Sequence, residues 1–440
     1  MHANRKNLLG QASRLSALTS LALVLFAPHA RADGAFRHLG VASCASSICH
    51  GSAKPLDAHT VQQNEYVTWM HFDPHSGAYR TLLEERSQVM ARRLGIGAAH
   101  EARLCLDCHA DNTAPSQRGP RFQLSDGIGC ETCHGGAEAW IARHDDSPAL
   151  PRPELERLGL HRGEDPEARA ALCVSCHVGA GERFADHRLM AAGHPRLSFE
   201  LDTFTELWRT SGGREHYRRD ADYLSRKSVP TGSDTWVAGL MEAVRVQLAQ
   251  MRGAHAQSAG GLPEFALYNC YSCHRAMRFN YGEGRGLAAD LAPGSLRLDD
   301  SRLVMLSAVF AAVSPADDES LRAQTAGLHR AASDGREALT AASAGLESWL
   351  AQARERVSAQ PLSREQKKLI VQNLVKAAER GEYGDYAAAE QAAMAIVLLL
   401  AETGREQTLK PQIDALFAAL ADDARYDSAR FGKVLEKIKE

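Results

Sequence analysis

All ten cysteines of this 440-residue chain fall into five pairs, and each pair is followed at once by a histidine. The strings are Cys44-Ala-Ser-Ser-Ile-Cys49-His50, Cys105-Leu-Asp-Cys108-His109, Cys130-Glu-Thr-Cys133-His134, Cys173-Val-Ser-Cys176-His177 and Cys270-Tyr-Ser-Cys273-His274. Four read C-x-x-C-H, the attachment sequence for c-type haem; the first has four intervening residues. The two thiols form thioethers on the porphyrin vinyl groups, and the next residue, His, is held under the iron as an axial ligand. One such string arises by chance, whereas five that use every cysteine do not. The sequence therefore predicts five covalently bound c-type haems, with His50, His109, His134, His177 and His274 on the irons. Ten cysteines in a secreted chain otherwise suggest five disulfides, but the repeated terminal histidine argues against that.

The first 32 residues read as a secretory signal. Arg5, Lys6 and Arg14 precede a short apolar stretch from Leu15 to Ala27, and Ala30-Arg31-Ala32 supplies a small-x-small cleavage pattern before Asp33. That stretch is too short for a spanning helix, which needs about 20 residues, and no other stretch reads as a membrane span. Haem attachment also takes place on the far side of the membrane, so the expected location is the periplasm. Removing the signal takes four basic residues from 51, leaving 47 against 54 acidic, formally −7. Nucleic-acid binders cluster Lys and Arg on a basic face, and nothing of that kind is present. An acidic surface fits docking to a basic patch on a redox partner.

The expected fold is mostly α. A pentahaem domain over 33–281 is wrapped in short helices and loops, with the porphyrins filling much of the interior. Aromatic content is only 6%. A Gly/Pro-rich linker follows over 282–299. Residues 300–440 carry no cysteine and read as a helical bundle packed on the haem domain. Ser363-Arg-Glu-Gln366 is a capping box ahead of Leu369, Ile370 and Leu374, and Gly381 stops that helix. Pro411 sits at a first-turn position before Ile413, Leu416, Phe417 and Leu420. Phe431, Val434, Leu435 and Ile438 repeat the same helical spacing, and both stripes read as core faces.

A haem iron has a second axial position. Outside the signal and the five strings lie twelve histidines: His38, His59, His71, His75, His100, His144, His161, His187, His194, His216, His255 and His329. His75 follows the first string closely, with Pro74 breaking any continuous helix from His71. His144 trails the third string in Ala139-Trp140-Ile-Ala-Arg-His144. His187 and His194 flank a segment in which Gly193 and Pro195 fix an irregular turn. These four are the expected distal ligands. His59, His216 and His255 rank lower, and His38, His100, His161 and His329 read as bystanders. Met70, Met190 and Met277 are near enough to the strings to consider, but the surplus of histidine favours bis-His coordination.

The stretch from Cys105 to His144 resembles the cytochrome c-554 family of multihaem carriers, typified by the acceptor of hydroxylamine oxidoreductase. The matching text is Cys105-Leu-Asp-Cys108-His109, then Asp126-Gly127-Ile-Gly129-Cys130-Glu-Thr-Cys133-His134-Gly135, then His144. Trp69 through His75 corresponds to a Trp-containing helix that presents a His in that family. The resemblance spans roughly residues 40–180. It implies a mostly helical fold, haems in close stacked pairs, and distal ligation by His75 and His144. Ala191-Ala-Gly193-His194-Pro195 looks like a segment of larger relatives and supports His194. The familiar carrier has four haems, so the fifth string and the helical tail are departures.

The expected role is a periplasmic electron carrier with no substrate site, exchanging electrons with membrane quinol-oxidising proteins or other periplasmic cytochromes. The alternative is an oxidoreductase acting on a small nitrogen or sulfur oxyanion at one five-coordinate haem. No string ends in Lys in place of His, as in pentahaem nitrite reductase, which weighs against that alternative.

Overall fold

The computed structural model describes residues 36–57, 61–145, 150–227, 229–253, 256, 262–274, 286–288, 291–292 and 295–438. The expected signal segment 1–32, the candidates His59, His255 and Met277, and parts of the expected 282–299 linker lie outside the described residues. Among the described residues the fold is mostly helical with no β-strand, and β pairing is limited to isolated bridges such as His38 with Arg118 and Val61 with Tyr217.

The cysteine-rich half is built from short pieces. They are α1 (Glu65–Phe72), α2 (Ala78–Thr81), α3 (Glu85–Leu94), α4 (Arg103–His109), α5 (Cys130–His134), α6 (Arg152–Arg157), α7 (Pro166–His177), α8 (His187–Ala192), α9 (Leu201–Thr210) and α10 (Ala221–Arg226). Helices α4, α5 and α7 each end on the histidine of a Cys-His string. One helical turn brings residues i and i+3 onto one face, so both thiols of C-x-x-C point the same way. After His134 the chain leaves the helix at Gly135, whose φ of 82° suits glycine alone. The first string lies in turns after the 3₁₀ segment Val41–Ser43, and the fifth starts the 3₁₀ turn Cys270–Ser272.

Helix α11 (Gly232–Arg252) is the spine of the molecule. It opens with a reciprocal capping box between Thr231 and Asp234, and it is buried on nearly every side. A helix covered all round is an interior element. On one side Val246 and Ala243 meet Val174 of α7 and Phe199 and Leu201 near α9. On the other, Trp236, Leu240 and Val244 enter a large core shared with α12 (Ser301–Val313), α13 (Pro315–Asp334), α14 (Arg336–Ser358), α15 (Arg364–Glu379), α16 (Tyr386–Glu402), α17 (Lys410–Ala419) and α18 (Ser428–Leu435). The core of the helical tail thus begins upstream of the fifth Cys-His string.

Local signals of the tail appear in the structure. Ser363 and Gln366 form both bonds of a capping box, Pro411 lies in the first turn of α17, and Gly381 follows α15 with φ 75°. Ile370, Leu374, Ile413, Leu416, Leu420, Phe431, Leu435 and Ile438 are buried. Leu369 and Phe417 differ: they are 45% and 46% exposed. Each is adjacent in sequence to a buried stripe residue, and one step along a helix turns a side chain about 100° away from that stripe. Among the described residues no helix is long and apolar enough to cross a membrane.

Candidate haem sites

Each string histidine has a second histidine beside it, drawn from elsewhere in the chain. Ring centroids are 6.1 Å apart for His50 and His144, 6.0 Å for His177 and His75, 6.2 Å for His134 and His216, and 6.2 Å for His274 and His187. His109 and His194 are electrostatic neighbours. Metal–imidazole bonds of about 2 Å on opposite sides of one ion put the two ring centroids roughly 6 Å apart. The separations therefore fit a single iron between two rings.

Local structure aims these rings. α1 stops at Phe72, and Asp73 caps the 3₁₀ turn Pro74–Gly77 that carries His75. His144 packs its ring against Trp140 at 5.4 Å. His187 opens α8 behind the Asp186 cap, and His194 follows Gly193, whose φ is 122°. His216 lies in irregular chain beyond α9, next to the Tyr217 that bridges back to Val61.

Hydrogen bonds fix the tautomers. Nδ1–H of His109, His144 and His194 donates to the backbone oxygens of Ala78 (3.1 Å), Ile141 (2.6 Å) and Pro195 (2.8 Å). Nδ1 of His50 meets the Glu65 carboxylate at 2.9 Å, and Nδ1 of His75 meets Asp73 at 2.8 Å. A histidine whose Nδ1 is committed in this way offers Nε2 to a metal, the arrangement that orients metal-ligating imidazoles. Burial, with His216 nearby, pushes His134 down to about 3, and burial pushes His177 down to about 4. Both stay neutral at pH 7, which is the ligand form of imidazole. The Glu65 and Asp73 hydrogen bonds instead hold His50 and His75 above the ordinary imidazole range.

The strings also touch one another. The thiols of Cys44 and Cys130 lie close together, as do those of Cys108 and Cys176. Cys133 is an electrostatic neighbour of Cys173 and Cys176. None of the ten cysteines is in a disulfide. Glu131, buried inside the third string, ties the first to it. Its carboxylate accepts the amides of Leu39 (2.7 Å), Gly40 (2.7 Å) and Ala137 (2.8 Å), pinning the chain just ahead of Cys44.

Other histidines have different surroundings. His38 meets Asp111 at 2.7 Å, and His329 is buried in the tail, with Nε2 at 2.9 Å from Asp300. His100 lies beside Gln88 and the Tyr79 ring, and His71 beside the Phe72 ring. His161 packs against Gly135, next to His134, although His216 is the ring paired with His134. Met70 is exposed, and Met190 lines a cavity beside Cys270. One pairing has weak sequence cues: His216 lies three residues beyond the Gly212-Gly213 turn but far from any string, and only the general surplus of histidine points to it.

Helices ending in Cys-x-x-Cys-His, with further imidazoles held beside them, define a c-type cytochrome, which carries covalently bound haem and its iron and has a redox or electron-transfer role. Residues 43–135, with the first three strings and His75, match the family of cytochrome c554 and c-prime. Over that segment the chain is similar to the cytochrome c554 family. No curated protein and no solved structure matches it.

Proposed function

We propose that the chain is a periplasmic pentahaem electron carrier in which each iron is held by two histidines. The pairs are His50 with His144, His109 with His194, His134 with His216, His177 with His75, and His274 with His187. The observation that carries this is the recurrence of one separation, 6.0 to 6.2 Å, at four of the five strings. Bound there, haem iron supplies one-electron exchange. The protein supplies spacing, axial ligands and burial.

Contacts between strings set the order of the sites. Cys44 against Cys130 joins the first to the third, Cys133 near Cys176 joins the third to the fourth, and Cys176 against Cys108 joins the fourth to the second. α8 separates His187 from His194, and its six residues at about 1.5 Å rise each keep the fifth site close to the second. The order in space is first, third, fourth, second, fifth. The ends of that row are where redox partners would dock. Two histidines per iron leave no open coordination position, which disfavours the oxyanion-reducing alternative.

The export signal over residues 1–32 supports a periplasmic location, because haem is attached outside the cytoplasm. Intact mass tests the haem count. The chain starting at Asp33 should carry five haem units, including one at the Cys44–His50 string. Four units would refute the pentahaem reading.

A further inference from the structure

A cavity of 240 Å³ lies between α7, α9 and the first turn of α11. Asp202 of α9 lines it, is only 7% exposed, and its carboxyl takes no hydrogen bond from any described residue. A Cβ at Gly232, the first residue of α11, would stand 2.8 Å from that carboxyl, so the glycine lets the helix start close over the acid. Burial pushes Asp202 up to about 7; Glu200, Glu206 and Glu402 add to the rise, and Arg169 opposes it.

The charged neighbours of Asp202 are engaged elsewhere on every element around it. On α9, Glu200 accepts the amides of Asp202 and Thr203 at 2.8 and 2.7 Å, and Glu206 pairs with Arg209 at 2.9 Å. On α7, Arg169 donates to Thr205 Oγ1 at 2.9 Å. Glu402, at the end of α16, pairs with Lys367 at 2.9 Å and accepts the Ser233 amide at 3.1 Å. In the first turn of α11, Asp234 is tied to the Thr231 cap. Further along the wall Glu164 pairs with Arg152 and Arg219 with Glu215, while Tyr217 and Tyr223 stack on each other. Of these acids, Asp202 is the one without a partner. A polar cavity of this size has room for water, which brings protons to the carboxyl.

The same turn of α9 abuts the fourth haem site. Phe199, three residues ahead of Asp202, stacks on the His177 ring at 4.5 Å, and Leu201 shares a core with Val174, inside the fourth string. Arg169 acts on both Asp202 and the Cys173 thiol. We propose that Asp202 is a redox-linked proton site: it takes a proton from the cavity when the fourth haem is reduced and returns it on oxidation. This rests on the haem at the fourth string proposed above. The iron gains one electron from the redox partner and passes from ferric to ferrous. One carboxylate oxygen gains one proton from cavity water, and no bond to the haem forms or breaks. Reduction removes a positive charge from the haem, so a carboxylate nearby becomes costlier and binds its proton more tightly. The carrier then moves a proton together with an electron.

The test is spectroelectrochemical titration of the full-length, haem-loaded protein between about pH 5 and pH 9, with intact mass and haem-peptide mass alongside. In the wild type one midpoint potential should fall as pH rises through about 7, because the ionised acid favours ferric haem. Asp202→Asn cannot ionise, so that midpoint should stay at the wild type's acid-side value throughout. Arg169→Gln removes the cation that favours the ionised acid, and should move the inflection to higher pH even if Asp202→Asn proves too unstable to purify. Glu365→Gln, at an exposed ion pair on α15, should leave the profile as in the wild type. Wild-type potentials that do not vary with pH would overturn the proton site. So would a dependence unchanged in Asp202→Asn, or an inflection unmoved in Arg169→Gln. A wild-type Cys173–His177 peptide without haem would instead remove the fourth site on which the proposal rests.

Discussion

Glu131 shows how much one residue inside a Cys-x-x-Cys string can do beyond haem attachment. It is 3% exposed and satisfies three backbone amides, two of them immediately upstream of the first string. Glu131→Ala would strand those donors, each at about 1–3 kcal/mol. We expect a loss of about 3 kcal/mol or more in chemical denaturation, with Glu131→Gln costing less because it keeps one acceptor. Equal, small losses for both variants would show that water replaces the carboxylate. His216 gives a second prediction at this scale. His216→Ala should convert one haem to high spin, while His161→Ala should leave the spectrum unchanged. The reverse outcome would reassign the partner of His134.

The same residues show what could be read from sequence. A Cys-x-x-Cys-His string is local: thiols and first ligand lie within one turn, so each could be recognised without a fold. His144, His187 and His194 carry short-range marks, a nearby string or a flanking cap, glycine or proline. The partner beside His177 is His75, about a hundred residues upstream, and that meeting depends on how α1 and α7 are brought together. His216 sits in irregular chain far from any string, beyond the Gly212-Gly213 turn, and its position is set by the bridge from Tyr217 to Val61.

Among elements, the tail was legible in its caps and stripes but not in its extent. Nothing in the periodicity of α11 says that its two faces serve different cores, since an all-round buried helix has no distinctive stripe. The joints between tail helices are polar. Asp300, at the N-terminal boundary of α12, is buried between Arg297, at 2.8 Å, and His329 of α13, at 2.9 Å. Burial alone would raise its carboxyl, but Arg297 and His329 bring it down to about 2. Because that lies below the unfolded value of about 3.9, the carboxylate contributes stability that is complete above about pH 4. The contribution is lost as pH falls toward 2. Asp300→Asn removes one partner of a buried ionic cluster and should cost about 3–5 kcal/mol at pH 7. Its unfolding midpoint should also fall less steeply than the wild type's between pH 4 and pH 2. Parallel pH profiles would mean that Asp300 is not the titrating group.

At the scale of the whole molecule, the row of sites runs from the first string to a fifth that abuts the helical tail, with α11 packed against both halves. Such a frame suits a carrier whose irons all keep two axial histidines. The most direct measurement is quantitative EPR of the fully oxidised, full-length protein. The account predicts low-spin ferric haem only, with no high-spin signal amounting to an equivalent of iron per chain. One or more equivalents of high-spin haem that bind nitrite or hydroxylamine would contradict it and favour an enzyme.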